Sequence, residues 1–414
     1  MKTNLTQWLD WQSSLHPNKI ELSLNRVRTV AGRLNLLTPD FPIVIVAGTN
    51  GKGSSVTLLD AMLTANNMRV GRYTSPHLLR YNERICIAGT EASDAQICQA
   101  FTTIEAVRND ISLTFFEFAT LATMILFQQK VDIAILEVGL GGRLDAVNIF
   151  DADVALITAI DIDHSDWLGN DRETIGFEKA GILRAKKPAV CSDPNPPQSI
   201  IEHAKQLATE LHCIQRDFTY NKTEDGWNWR TADKTLTNLP KPNLYGDFQL
   251  QNAAGVMMVL KLLQLPIIPS GLTKAHISGR FQILPGPVTR IFDVAHNPLG
   301  AKVLTTTLQQ YPNKGKTHVI LGMLDKKDTA GFINIIQDIS NDWHVAPLNT
   351  PNTATAQCLV DNLLSVGNKN ITSYPSITNA YNNVLSIVKD GDQILITGSF
   401  YTVAEIFSQI QISI

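Results

Sequence analysis

The stretch PIVIVAGTNGKGSSVTLLDAMLTAN, residues 42–66, constrains this chain more than any other. A β-branched run that reads as a buried strand leads into glycines clustered around a lysine, and helical spacing follows directly. Only the strand–loop–helix unit of an α/β fold uses residues in that order, with the loop amides and the helix N-terminus free to receive an anion. The common phosphate-loop pattern, G-x-x-x-x-G-K-[ST], asks for a glycine where this chain has Val46 and for a hydroxyl where it has Gly53; the hydroxyls come one place late, as Ser54 and Ser55. Glycines at 48, 51 and 53 still let backbone approach phosphate oxygens closely. Lys52 is expected to reach the β- and γ-phosphates, the helix to begin near Ser54, and Gly53 to lengthen the turn enough for Ser54 to reach a metal ion. The competing reading is a glycine-rich turn that binds nothing.

Composition narrows the class. With 414 residues the chain is long enough for two domains, and 44% hydrophobic with 18% charged residues suits a globular α/β protein. Lys and Arg number 35 against 38 Asp and Glu, and no basic cluster stands out, which argues against nucleic acid as a partner. The apolar runs stop well short of the roughly 20 residues of a membrane span, and Asp10 interrupts the start where a signal peptide would be apolar. A cytoplasmic location is expected, with no membrane partner. The five cysteines (86, 98, 191, 213 and 358) lie far apart without a C-x-x-C pair and read as reduced structural thiols.

From residue 43 to about 160 the strand candidates PIVIVA, MRVGRY, VDIAILEV and ADVALITAI alternate with helix-length segments, the pattern of a parallel sheet with crossover helices. Residues 190–245 are loop-rich, with DGWNWR and ADKTLTNL reading as a hairpin, before helix returns in FQLQNAAGVMMVLKLLQL. A Pro/Gly-punctuated stretch then suggests a hinge near Gly279. Beyond it TRIFDVAH, KTHVILGML, DWHVAPL and DQILITGSF give four more strand candidates and a second, smaller α/β domain.

Several residues sit where such folds bind ligands. Glu137 ends a strand and could hold Mg²⁺; Asp161, Asp163 and His164 end another, where the histidine could bind a second metal or rest as an ordinary loop residue. Lys179 in ETIGFEKAGILR reads, on spacing alone, as a surface lysine. Asp293, His296 and Asn297 precede Pro298, so a nucleotide contact and a plain helix cap are equal readings, while Arg280 at the hinge is a candidate phosphate contact.

Taken together, GTNGKGS, YTSPHL, FFEF, LEVGLGGRLDAVN, DIDHSDWLG, EKAGI, GRFQ, FDVAHNP and GMLDKKD resemble the folylpolyglutamate synthase and dihydrofolate synthase family within the Mur ligase superfamily, most closely its bifunctional members. The resemblance implies an α/β chain with a P-loop-containing Mur-ligase-type central domain, residues 1–279, and a smaller Rossmann-like α/β C-terminal domain, residues 280–414. It implies an ATP-dependent ligase joining L-glutamate to 7,8-dihydropteroate and to reduced folates through an acyl phosphate, acting as a monomer. ATP is the co-substrate, two Mg²⁺ ions assist, and a monovalent cation has a place in the scheme. By motif, Asn50, Gly51, Lys52 and Gly53 would cradle the phosphates, with Asn252, Arg280 and Asp293 as further ATP contacts. Ser75 and Glu137 would hold one metal with Ser54 nearby, and His164 the second. Lys179 matches a lysine carried as a carbamate, which reverses its bland reading, and His296 resembles a histidine near the acyl phosphate. The substrate would meet Leu22, Ser23, Leu24, Arg26, Phe116, Glu117, Arg143 and Asp145. One departure falls in that set: where bifunctional members commonly read Leu-Gly-Leu-x-Arg, this chain has LSLNR.

Two other functions fit the phosphate loop alone. A phosphotransferase or plain NTPase would turn over nucleotide without glutamate, and a nucleotide-gated binding protein would bind ATP with negligible turnover.

Overall fold

Five consecutive buried residues, Ile43–Ala47, make the strand on which the first half of the chain is built. A run buried on both faces must be covered on both, and a parallel sheet between helices does this. In the computed structural model, which describes residues 2–18, 20–340 and 342–410, this strand (β1) lies in an eight-stranded sheet. Its other strands are β2 (Val70–Tyr73), β3 (Ile85–Ile87), β4 (Thr90–Glu91), β5 (Ile133–Glu137), β6 (Val154–Ile157), β7 (Pro188–Cys191) and β8 (Glu210–Cys213). The order is β4-β3-β2-β5-β1-β6-β7-β8, with β3 and β4 antiparallel at one edge. Strand β1 pairs in parallel with β5 on one side and β6 on the other, so the chain reverses its direction of travel across the sheet there. The carboxyl ends of β1, β5 and β6 therefore open one crevice at a topological switch point, where open α/β sheets bind ligands.

The helices of this half that matter for the crevice are α1 (Leu5–Leu15), α2 (Asn25–Arg33), α3 (Lys52–Ala65), α4 (Asp94–Arg108), α5 (Phe115–Phe127), α6 (Ser165–Leu168), α7 (Arg172–Ala180), α8 (Gln198–Leu207) and α9 (Phe248–Leu262). Helix α3 begins at Lys52, two residues before the expected start, because Gly51 takes φ +90° as the N-cap and lets the chain turn into the helix at once. The expected hairpin is a three-stranded antiparallel sheet, β9 (Phe218–Lys222), β10 (Trp227–Thr231) and β11 (Thr235–Leu239). It is anchored by the buried Trp229, whose Nε1 donates to Ala254 O of α9 at 3.2 Å. All five cysteines are free thiols. No helix among the described residues is long and apolar enough to cross a membrane.

The chain forms two compact units: residues 1–243 with 249–275, and residues 244–248 with 276–414. The second holds a six-stranded sheet of order β12-β13-β17-β14-β15-β16, parallel except for β12 (Gln282–Leu284). The others are β13 (Thr289–Phe292), β14 (Thr317–Leu321), β15 (Asp342–Val345), β16 (Ile371–Ser373) and β17 (Gln393–Thr397), with α10 (Pro298–Gln309) following β13. The short segment 244–248 belongs here because the Tyr245 ring packs on Phe281 and Tyr311, at centroid distances of 5.7 and 5.2 Å.

His344 on β15 is buried with its Nδ1 3.1 Å from the Tyr374 hydroxyl and its Nε2 3.4 Å from His318 Nδ1. Burial, and secondly the neighbouring His318, lower its pKa to about 4. The unfolded chain therefore takes up the proton first, and stability present above pH 6.5 is lost as the pH falls towards 4. At pH 5 the loss is on the order of 2 kcal/mol. Thermal melts at pH 7 and pH 5 are expected to show the smaller difference in His344→Gln.

Candidate active site

The site grows out of the end of β1. Gly51 has no side chain to cap α3, so the first-turn amides of that helix face the crevice with the helix dipole behind them. Lys52 lies back along the loop, its Nζ donating to Gly48 O at 3.0 Å and Thr49 O at 3.2 Å. Lys179, at the end of α7, donates to the same Gly48 carbonyl at 3.0 Å. It is only 3% exposed, so the surface reading drawn from spacing alone is wrong: the periodicity of α7 does not show that its C-terminal end is buried beside the loop. Burial, then the Lys52 charge, lower the Lys179 pKa to about 7, against the opposing pull of Asp163, Asp145 and Glu178. Two amines on one carbonyl, one of them about half protonated at pH 7, form the centre of the crevice.

Of the expected metal residues, Glu137 and Ser75 meet directly, while Ser54 and His164 each contact another neighbour. Glu137, at the end of β5 and buried, accepts the Ser75 amide at 3.1 Å through Oε2. Ser54 is buried in the first turn of α3, and its Oγ accepts from Gln249 Nε2 at 3.3 Å. Gln249 in turn accepts from Asn252 Nδ2 at 3.0 Å, and a Cβ on Gly51 would lie 2.6 Å from Asn252 Oδ1, so Asn252 lies against the loop. Gln249 was not among the sequence candidates; no local pattern separates it from the other polar residues of α9. His164 sits on the β6 side at φ +54°, its ring 45% exposed and 3.9 Å from Asp163 Oδ2. Among the described residues no three His, Cys, Asp or Glu side chains converge as a metal cage. One buried carboxylate with hydroxyls nearby suits a hard cation that completes its shell with phosphate oxygens and water, which is the habit of Mg²⁺.

The substrate candidates divide by geometry. Arg26 joins its own segment to the FFEF segment, pairing with Glu21 and donating Nη2 to Glu117 Oε1 at 3.1 Å. Glu117 also accepts the Thr114 amide at 2.7 Å, closing a capping box at the start of α5; T-x-x-E at 114–117 is a signal the sequence carries for this. Leu22, Ser23 and Leu24 form the half-buried approach to α2, and Ser23 lies outside the left-handed region, so no backbone strain follows from serine at the family's glycine position. The Phe116 ring packs on Tyr73 at 5.7 Å and against Gly139, where a Cβ would come within 2.7 Å of it. Asp145 is buried with its oxygens on the Leu140 and Val147 amides, at 2.8 and 3.0 Å, and burial raises its pKa to about 7. Arg143 is half-exposed, held by Glu178 at 2.8 Å and lying over the Phe177 ring.

The loop 139–145 must press against the end of α7. A Cβ on Gly181 would lie 2.3 Å from Arg143 Cβ and 2.4 Å from its Cα, and backbone cannot give way as a flexible side chain would. Gly181→Ala is expected to destabilise the protein by about 2 kcal/mol or more, read as a lower denaturant midpoint.

In the second unit, Asp293 is partly buried and accepts the Phe281 and Ala295 amides, each at 2.8 Å, with the Arg280 charge close enough to act on it. The Arg280 guanidinium and the His296 ring lie over Phe400 at 5.1 and 6.1 Å. His296 Nδ1 is 2.8 Å from Val294 O, a carbonyl that can only accept, so Nδ1 carries a proton. Asn297 caps α10 through Gly300 N, so the helix-cap reading holds for that residue.

A strand-end glycine loop with its lysine, a carboxylate on the next strand and a second α/β unit define a ligase of Mur type. Residues 46–260 match the Mur ligase middle domain and residues 279–400 the Mur ligase glutamate ligase domain. The dihydrofolate synthase/folylpolyglutamate synthase of Escherichia coli (strain K12) is 42% identical over 411 residues, 98% of this chain and 95% of its own length. The chain therefore belongs to the dihydrofolate synthase/folylpolyglutamate synthase family of Mur ligases. Among solved structures, E. coli FolC in complex with DHPP and ADP has a TM-score of 0.94 at 41% identity, over 99% of this chain and 98% of that one. A bifunctional folylpolyglutamate synthase/dihydrofolate synthase with Mn, AMPPNP and L-glutamate bound has a TM-score of 0.93 at 43% identity, over 99% of both chains.

Proposed function

We propose that this protein joins L-glutamate to 7,8-dihydropteroate and to reduced folates, with ATP cleaved to ADP and phosphate. The observation that carries the reading is the convergence of Lys52 and Lys179 on Gly48 O at the N-terminus of α3, in a chain of this family. It is supported by the DHPP, ADP, AMPPNP and L-glutamate of the related structures.

The acceptor's carboxylate oxygen attacks the γ-phosphorus, the bond to the ADP oxygen breaks, and an acyl phosphate forms. The amine of glutamate then attacks the acyl carbon, the carbon–oxygen bond to phosphate breaks, and the amine gives up a proton. Lys52 with the amides of Gly51 and Gly53 would oppose the charge that builds on the transferring phosphoryl group. Asn50, Asn252, Arg280 and Asp293 would complete the ATP contacts, and His296 would lie towards the acyl phosphate. Mg²⁺, held by Glu137, Ser75 and Ser54 with a second ion at His164, would supply Lewis-acid stabilisation of the phosphoryl oxygens; the scheme also leaves a place for a monovalent cation. Lys179 would carry a carbamate. We assign ATP binding to residues 1–279 and glutamate ligation to 280–414, in a monomer.

The test is ADP release with MgATP and L-glutamate, run with 7,8-dihydropteroate, with tetrahydrofolate and with neither. Turnover with both acceptors, each product heavier by one glutamate, is expected. Turnover with tetrahydrofolate alone would assign the lost activity to LSLNR, and acceptor-independent turnover would overturn the ligase reading in favour of an NTPase.

A further inference from the structure

The first half of the glycine loop is stitched to the chain that follows β6. Thr49 N donates to Ala159 O at 2.8 Å, and the Thr49 hydroxyl donates to Asp161 O at 2.8 Å while accepting the Asp161 amide at 3.0 Å. At the centre of this seam is Thr158, fully buried, whose amide donates to Ala47 O at 2.8 Å. Its hydroxyl reaches Asn50 O at 2.8 Å, with Ala47 O more distant at 3.2 Å. A hydroxyl has one proton to give, so the shorter contact to Asn50 O receives it. Gly48 passes directly beneath: a Cβ there would lie 1.8 Å from Thr158 Oγ1, so glycine at 48 and a side chain at 158 are one arrangement.

The carbonyl of Asn50 belongs to the peptide whose N–H is that of Gly51. In a trans peptide the C=O and N–H point in opposite directions, so holding the carbonyl towards Thr158 turns the Gly51 N–H away from it. That is the amide at the N-cap of α3, where an anion is received. Gly51 at φ +90° has no Cβ to resist rotation of this peptide, so something else must fix it.

We propose that Thr158 is a positioning residue for nucleotide binding, acting through its hydroxyl on the Asn50–Gly51 peptide to aim the Gly51 amide at phosphate. The inference rests on the ATP-dependent reading above. Removing the hydroxyl at constant volume weakens nucleotide binding; it leaves the groups that meet the acceptor and glutamate in place.

The experiment compares AMPPNP binding by calorimetry and the KM for ATP in the whole protein with those of Thr158→Val, Thr158→Cys and Thr158→Ser. The loss of one hydrogen bond to a buried carbonyl corresponds to about a tenfold rise in Kd and KM for Val, with a similar rise for Cys, whose thiol is a weak donor. Ser is expected to stay within about twofold of the parent, and the KM values for glutamate and acceptor are expected to stay unchanged. Cys serves if Val does not fold. A merely structural threonine would lower the melting temperature and leave ATP affinity alone, which overturns the proposal, as does a loss that Ser fails to rescue. If the parent binds AMPPNP and Val binds it equally, the positioning role fails and the ligase reading stands; a parent that binds no nucleotide removes both.

Discussion

Lys52→Ala is expected to lower acceptor-dependent ADP release by about a hundred- to a thousandfold, the usual cost of losing one group aimed at developing charge in a closed site. Two things make the effect this large. The ammonium lies at the mouth of the loop, on Gly48 O and Thr49 O, where a γ-phosphate would displace it from neutral carbonyls to a charged partner. Its charge also lowers the pKa of Lys179, so its removal moves the second amine back towards full protonation. Lys52→Arg is not expected to rescue, since a planar fork does not replace a compact point charge between two carbonyls. Steady-state kcat with AMPPNP affinity measured alongside is the check, and a variant that keeps more than a tenth of parental turnover would remove Lys52 from the chemistry.

The second large effect is expected at Lys179. Carbamate formation needs a neutral amine: the lone pair attacks CO₂, a nitrogen–carbon bond forms and one proton is released. A lysine titrating near 10.5 is almost wholly protonated at pH 7, whereas one held at about 7 is half available. Lys179→Ala is expected to cut turnover by about a hundredfold or more, in line with the loss of a positioned group in such a site. Turnover of the parent should fall when CO₂ is stripped from the buffer and return with added bicarbonate. Carbon NMR with labelled bicarbonate should show one carbamate signal that the variant lacks. Turnover indifferent to CO₂, with no such signal, would leave Lys179 as a plain buried amine. The pH effect on folding has the same sign as that of His344 and differs only in its window: the native amine binds fewer protons than the unfolded one between pH 7 and 10.5, so its contribution to stability improves as pH rises across that range.

How much of this was visible in the residues depends on how locally each feature is encoded. The glycine loop and its flanking strand and helix are contiguous, so their chemistry could be read directly, and the α/β architecture followed from strand and helix periods that alternate cleanly. Seven strands were not anticipated, β3, β4, β7, β8, β9, β12 and β16. All but β9 have only two to four residues, and half of the positions in β8 are only partly buried, so there is little alternation to detect. The pairing of Arg26 with Glu117 joins residues 91 apart, and no spacing rule connects them. Lys179 shows the same limit from the other side: its family motif marked it, while its own helix spacing pointed to solvent. Thr158 carries no motif at all, and its role depends on the register that sets β6 beside β1.

The interleaving of the two units has a practical consequence for anyone who would take the molecule apart. A gene cut after codon 275 yields an upstream product that carries off residues 244–248, and with them the tyrosine whose ring belongs against Phe281 and Tyr311. The downstream product keeps two aromatic rings stripped of their third. Neither fragment is a whole inheritance, and the smallest faithful copy of the second unit is residues 276–414 given back a five-residue peptide from the other side of the cut.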